Sequence, residues 1–402
     1  MFSFQISCCL SDKSYLIRNV IGNILVLPIR ALCCIMVIRA AGAFRARQKE
    51  VRMQKKATIY DIAREAGVST ATVTRVVRGD SNVRDATREK VQRVIDAHAY
   101  APSASAQHLE DGQSRTIAIV MPAVINPYFT RIYNEAYKEA EAHGYYAWLF
   151  QIQENKPIPR TLVDELIRRR IDGVIFAGGI WSTERSGLAD ALVRLKNYMP
   201  VATICPPSVK MDCICIHSDL ASCSRLPVRH LHALGHRRIA FIGGSMQFKD
   251  NSKRGENFLE ELRTLDLPDD PAYHVDAGFD AESGERAILR MLSGLERKRW
   301  PTAIIAFNDQ MALGAIKQLK QMGLRLPEDM AIIGCDNQFF CPYTDPPLTS
   351  IDLHPEEMTQ SAVRELLVAR EGNRTQSFSM MREATLIVRE SCGAKLGYRK
   401  RS

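Results

Sequence analysis

TIYDIAREAGVSTATVTRVVRGDSNVRDATREKVQRVIDAHAY, residues Thr58–Tyr100, is the stretch on which the organisation of this chain turns. Ile59, Ile62, Ala63 and Ala66 fall at i, i+3, i+4, i+7 spacing, which predicts a helix capped by Thr58. Gly67 supplies the left-handed conformation that ends it and turns Val68 inward. Ser69 then caps a second helix, Thr70–Val77, with Val73 and Val76 facing back. Gly79 to Asn82 reads as loop, and a third helix, Asp85–Ala97, turns Val91, Val94 and Ile95 inward and Arg88, Lys90 and Arg93 outward. Two short helices joined by a glycine turn describe a helix-turn-helix. The pattern is demanding: Ala63 has to be small where the second helix crosses, and Gly67 conformationally free. A plain three-helix bundle, the bland alternative, makes neither demand.

In a helix-turn-helix the second helix enters the major groove with its N-terminal residues toward the base edges. Here its outward side chains are Thr70, Ala71, Thr74, Arg75 and Arg78. Arg75 suits bidentate pairing with guanine O6 and N7, and Thr70 or Ala71 suits a thymine methyl. Thr58, Tyr60, Ser69 and Lys56 are better placed for phosphate.

Bulk composition adds little to this. The 402 residues are 46% hydrophobic and 25% charged, an ordinary globular balance that excludes collagen-like, disulfide-knot and wholly disordered classes. The net charge is +9, but residues 1–52 hold eight basic residues against Asp12 and Glu50, leaving only +3 for the other 350. Local pattern, not overall charge, therefore carries the nucleic-acid expectation. The eleven cysteines are odd in number, irregularly spaced and without any CxxC, the usage of reduced thiols rather than a secreted framework.

Residues 1–52 read as a leader unlike the rest. Val20–Ile38, VIGNILVLPIRALCCIMVI, approaches the ~20 residues that cross a bilayer but is interrupted by Asn23, Pro28 and Arg30. Three readings stand open: a membrane anchor, a signal peptide without a small-residue cleavage site, or residues upstream of a true start at Met53. The expected organisation is a leader (1–52), a helix-turn-helix domain (53–101), a hinge helix and linker (102–113), an effector-binding and dimerisation domain (114–395) and a basic tail (396–402).

From Thr116 onward buried strands alternate with amphipathic helices. Strands are expected at Ile117–Met121, Tyr146–Phe150, Gly173–Phe176, Val201–Ile204, Cys213–His217, Ile239–Ile242, Ala303–Phe307 and Ala331–Gly334. Helices are expected at Tyr128–His143, Arg160–Arg170, Arg254–Leu265, Glu282–Leu292 and Met311–Met322. Regular alternation predicts parallel sheets with helices on both faces, split over this length into two lobes, with ligands at the carboxyl ends of strands. No GxGxxG, GxxxxGK[ST], GxSxG or HExxH is present, so no catalytic or cofactor motif supports an enzyme. In DCICIHSD, residues 212–219, Cys213, Cys215 and His217 share one strand face, but alternate cysteines in a strand are usually small hydrophobes, and no metal site is expected.

The stretch Ala57–Leu109 closely resembles the lactose-repressor (LacI/GalR) family of bacterial transcription regulators. NPYF at Asn126–Phe129, RRRIDGVIF at Arg168–Phe176, LGHRRIAFIGG at Leu234–Gly244, FNDQMALGA at Phe307–Ala315 and PPLTSIDL at Pro346–Leu353 resemble the family's landmarks in order. The resemblance implies an all-α headpiece plus a bilobed α/β domain like that of periplasmic binding proteins. It further implies a cytoplasmic homodimer or tetramer, more often repressor than activator, that binds operator DNA under control of a sugar-like or nucleobase-like effector. Pro102–Leu109 would be the hinge helix and Leu109 its minor-groove wedge. Carried over by position, the effector residues would be Tyr128, Phe129, Asp219, Arg254, Phe279 and Asp309. Aromatic faces suit a sugar or purine ring, and Arg and Asp suit its hydroxyls or amides. The sequence departs from the family at Arg78, where Asn is usual, at Gln107 and Glu110 in the hinge, at Leu220 beside Asp219, and at Pro227 inside a helix. Two rival functions remain at this level: a membrane-tethered regulator using residues 20–38, and a sugar-binding transport component.

Overall fold

The computed structural model describes residues 57–100, 114–122, 125–153, 156–178, 187–204, 212–243, 249–372 and 377–394, together with the backbone of three short strands before them. Those strands, β1 (Gln5–Cys8), β2 (Ser14–Arg18) and β3 (Ile24–Pro28), pair antiparallel, and β3 falls inside the apolar stretch 20–38. The remainder of the leader, Lys56, the segment 102–113 with Leu109, and the tail 396–402 lie outside the described residues. Among the described residues no helix is long and apolar enough to cross a membrane. The chain divides into two compact units, Met1–Glu110 and Asp111–Ser402.

The described residues of the first unit form three helices: α1 (Ile59–Ala66), α2 (Thr70–Val77) and α3 (Asp85–Ala97). Thr58 opens α1 with a capping box: its hydroxyl accepts from the Asp61 amide at 3.3 Å, and its own amide donates to Asp61 at 3.0 Å. Gly67 takes φ +61° and ends α1, and Ser69 caps α2 by accepting from the Thr72 amide at 3.2 Å. Ile62, Ala63, Ala66, Val73, Val76, Val83 and Val91 form the core of this small unit, with Ile59, Val68, Val94 and Ile95 packed at its rim. Burial is modest here, so the caps and the tight Ala63 crossing carry a large share of the fold's definition.

The second unit alternates β4 (Thr116–Met121), α4 (Pro127–Ala142), β5 (Tyr146–Gln151), α5 (Arg160–Arg168), β6 (Gly173–Ala177), α6 (Leu188–Leu195), β7 (Val201–Ile204) and β8 (Ile214–Ser218). The chain then crosses to a second lobe: α7 (Leu220–Ala233), β9 (Ile239–Gly243), α8 (Lys249–Thr264), β10 (His274–Asp276), α9 (Ala281–Ser293), β11 (Ala303–Ala306), α10 (Asp309–Gln321), β12 (Ala331–Cys335) and β13 (Thr349–Asp352). It returns for α11 (Pro355–Arg370) and β14 (Phe378–Arg382) and crosses once more to β15 (Thr385–Ile387). The first sheet has the order β14-β8-β7-β6-β4-β5, all parallel. The second has the order β10-β9-β11-β12-β13-β15, parallel except for β15.

The eight expected strands are all present. β10, β13, β14 and β15 were not expected from the sequence, and their composition explains it. Three are sheet edges of three to five residues, and β13 reads TSID, without an apolar run. The β13 hydroxyls are employed instead: Thr349 Oγ1 accepts from the Arg389 amide at 2.9 Å and Ser350 Oγ donates to Asp309 at 2.6 Å. α7 continues through Pro227 to Ala233.

Where the chain crosses between lobes the strands lie side by side. The Asp219 amide donates to the Arg382 carbonyl at 2.7 Å, and the Ala384 amide to Ser222 Oγ at 3.1 Å. α11 begins in the second lobe's last crossing but packs Met358, Ala362, Val363, Leu366 and Leu367 into the first lobe's core, with Leu366 filling the space a side chain at Gly173 would take. In the second lobe α9 and α10 touch backbone to backbone: a Cβ on Gly314 would collide with the Ala281 carbonyl, one on Gly284 with that of Met311.

Candidate functional site

On the first unit, α2 buries Val73 and Val76 and leaves Ala71, Arg75 and Arg78 exposed, with Thr70 and Thr74 half-buried beside them. Thr74 Oγ1 donates to the Thr70 carbonyl at 3.1 Å, which commits its proton locally. Tyr60 is 74% exposed at the start of α1, and Thr58 and Ser69 sit at the two helix N-termini, where free amides and the helix dipole favour phosphate. Of the sequence-predicted DNA set, Lys56 and Leu109 lie outside the described residues, and the others are exposed or half-buried on α1, α2 and their caps.

On the second unit, the carboxyl ends of β11 and β12 meet the start of α8. Arg254 is buried, stacks its guanidinium 4.1 Å from the centroid of Phe307, and donates through Nη1 to the Phe307 carbonyl at 3.0 Å. Phe279 meets Phe307 edge-on at 5.6 Å and is held there by Asn308, whose Nδ2 donates to the Phe279 carbonyl at 2.8 Å. Burial pulls the Arg254 pKa down, but Cys335, Cys223 and Asp336 beside it outweigh that, and the group stays cationic. Its Nε has no hydrogen-bond partner among the described residues. A buried guanidinium donor left unmatched costs on the order of 1–3 kcal/mol, so the position is prepared for an acceptor brought by a ligand or water.

Tyr128, on the first lobe's α4, faces the same group. Burial raises its phenol well above 10, with Asp336, Cys335 and Cys223 adding to the effect. Asp336 is 8% exposed and takes φ +103°, a left-handed conformation rare for a non-glycine residue. Burial, and after it the neighbouring Asp309, push its carboxyl well above the usual range, against Arg254 and Arg131. Strain, burial and a neighbouring cation at the end of a parallel strand make Asp336 a candidate ligand-facing acid.

Three residues expected in the cleft have other employment. Phe129 is 9% exposed and sits in the first lobe's core, its ring against Gly178, whereas Tyr128 packs at the edge of that core within reach of Asp336. Asp219 caps α7, accepting from the Ala221 amide at 2.9 Å. Asp309 is fully enclosed: Oδ1 accepts from Ser350 Oγ at 2.6 Å, and Oδ2 from the Gln338 amide at 2.7 Å and from Cys341 Sγ at 3.1 Å. Burial raises its pKa to about 6 against those hydrogen bonds. Gly334 is bare because the Asp309 carboxylate occupies the volume of its Cβ, and Asn308, not Asp309, caps α10. Asp309 thus ties β12, β13 and the 338–341 turn together from behind the pocket.

Residues 58–103 match the family described as bacterial regulatory proteins, lacI family, and residues 228–392 match a periplasmic binding protein-like domain. The chain is 30% identical over 346 residues to the HTH-type transcriptional repressor CytR of Escherichia coli K12, an alignment covering 86% of this chain and 99% of that relative. The chain belongs to the lacI family of bacterial regulatory proteins. This lacI-family chain is also 31% identical over 297 residues to catabolite control protein A of Priestia megaterium, covering 73% of the chain and 86% of the relative. Among solved structures it is similar to the lac repressor dimer bound to operator and the anti-inducer ONPF, with a TM-score of 0.74 and 27% identity over 84% of this chain and 99% of the other. A lacI-family member is a DNA-binding transcription regulator.

In this lacI-family fold, sequence reasoning missed Asp336 and Phe307. Both directly follow apolar parallel strands, the location where open α/β sheets bind ligands, and that rule applied strand by strand would have found them. The strand cysteines of residues 212–219 are buried; burial pushes Cys213 up to about 12, and Cys213 packs in the first lobe's core. Among the described residues no group of three His, Cys, Asp or Glu is arranged to hold a metal ion.

Proposed function

We propose that this regulator is a cytoplasmic repressor that grips operator DNA as a homodimer and alters that grip when a small sugar-like or nucleobase-like effector enters the pocket at Arg254. The carrying observation is the buried Arg254 guanidinium with its unmatched Nε, set between an aromatic pair and a strained buried acid. Tyr128, Arg254, Phe279 and Asp336 contact the effector; Phe129, Asp219 and Asp309 hold those four in place. A ring with an apolar face and a polar edge suits such a lining. Arg75 and Arg78 read bases, Thr70, Ala71 and Thr74 flank them, Thr58, Tyr60 and Ser69 hold phosphates, and Leu109 wedges the minor groove. Exposed apolar side chains support pairing of two copies: Tyr137, Tyr146 and Trp148 on the first lobe, Leu289, Leu313, Phe339 and Tyr343 on the second. Control is two-state: the effector shifts the lobes by its difference in affinity for their two arrangements.

The test is a calorimetric screen of sugars, nucleosides and nucleobases on the full chain, with operator selected from random duplexes. Arg254→Met should weaken the hit by roughly a hundredfold, as loss of a buried charged donor does, and leave operator affinity without effector unchanged. An undiminished response in that variant removes Arg254 from the effector site.

A further inference from the structure

α4 and α11 lie side by side and are joined by rungs one helical turn apart. Arg131 grips Glu356 through Nε at 2.6 Å and Nη2 at 2.8 Å, Gln360 donates to Glu135 at 2.6 Å, and Arg364 donates to Glu139 at 2.7 Å. Each pair is separated by 225 residues, so the helices run parallel and in register. The second and third rungs fasten α11 to the first lobe. The first does something else. Arg131 Nη1 also donates to the Asp336 carbonyl at 2.5 Å and to the Asn337 carbonyl at 3.3 Å, reaching from the first lobe to the end of β12 in the second.

Those two carbonyls belong to consecutive left-handed residues, Asp336 at φ +103° and Asn337 at φ +47°. The opposite edge of this backbone is held by the second lobe. The Asp336 amide donates to the Ile351 carbonyl at 2.8 Å, the Asn337 amide to Ser350 Oγ at 3.0 Å, and the Asn337 side chain is fixed by Asp352 at 2.9 Å and Arg389 at 2.7 Å. A strained backbone persists only where its surroundings over-determine it. Here two of those restraints come from the other lobe. We infer that Arg131 is the positioning residue of the effector pocket, fixing the Asp336 main chain from across the cleft so that the acid faces Arg254 only while the lobes keep this approach. The inference rests on the reading of Asp336 and Arg254 as the pocket. Lobe closure and presentation of the acid are then one event, because separating the lobes withdraws Arg131 from both carbonyls.

Hydrogen exchange on the full chain, with no ligand added, tests this in Arg131→Gln, Arg131→Lys and Arg364→Gln. Arg131→Gln should speed exchange of the Asp336, Asn337 and Gln338 amides by roughly tenfold or more, since local opening there loses its cross-lobe restraint. Arg131→Lys, which keeps the charge and one donor, should restore part of the protection. Arg364→Gln breaks a rung of the same ladder away from β12 and should leave these amides as in the parent. Equal opening in Arg131→Gln and Arg364→Gln, or none in either, overturns the inference. Should Arg131→Gln fail to fold, Arg131→Lys set against Arg364→Gln makes the same comparison. A chain that binds nothing in the effector screen defeats the pocket reading without altering these rates, so the two failures are told apart.

Discussion

His236, in the turn between α7 and β9, couples the stability of the second lobe to pH. It is 2% exposed, with Nδ1 3.0 Å from Thr302 Oγ1. Burial lowers its pKa from 6.5 to about 4, with His230 and Arg237 pressing the same way. Below pH 6.5 the unfolded chain takes up a proton that the folded chain refuses. The stability His236 contributes is therefore complete above 6.5 and is lost as pH falls toward 4. The full loss is about 3 kcal/mol, and about 2 kcal/mol of it falls between pH 7.5 and pH 5. Asp309 opposes it. Burial raises that carboxyl to about 6, so the folded chain keeps a proton the unfolded chain has released, and stability is gained as pH falls through 6 toward 4. The two effects overlap in one window and flatten the parent's acid response. His236→Gln removes the first and leaves an amide to meet Thr302. Urea unfolding followed by tryptophan fluorescence, in which Trp300 lies next to this turn, should show the variant gaining about 2 kcal/mol on the parent between pH 7.5 and pH 5. Identical pH dependence in the two proteins would refute the assignment of a neutral buried imidazole.

Two further outcomes are expected. Arg75→Ala should cost about 1–3 kcal/mol on the selected operator and relax preference at one base position; uniform weakening on all duplexes, with a shallower salt slope, would make Arg75 a phosphate contact instead. Gly314→Val should destabilise the second unit by roughly 3 kcal/mol or more, because the added carbons meet the Ala281 carbonyl where α9 and α10 touch; a thermal midpoint equal to the parent's would contradict that contact.

The headpiece was legible because its determinants are local. Caps at Thr58 and Ser69, the turn at Gly67 and the spacing of Ile62, Ala63 and Val73 all lie within fifteen or so residues, inside the reach of helical periodicity. The alternating strands were legible for the same reason, and β13 was not, because its hydroxyls serve partners on other elements. In the pocket the limit is one of direction. Tyr128 and Phe129 are neighbours on α4, and it is the Phe129 ring that packs against Gly178, a contact far along the chain. Asp309 heads a helix, where a ligand-binding acid is expected, yet its carboxylate turns to Ser350, 41 residues on. Asp336 follows a strand end as ordinary as any other until the fold sets Arg254 beside it.

The three crossings between lobes bear on how the chain is made. α11 and β14 complete the first lobe, yet they emerge only after nearly the whole second lobe has been translated. A nascent chain that has just completed β8, at residue 218, presents the first sheet with the face meant for Leu366 and its neighbours still open to water. That apolar surface must wait through well over a hundred further codons, during which it is exposed to chaperones and to other unfinished chains. Neither lobe, for the same reason, can be cut from the gene as one uninterrupted piece.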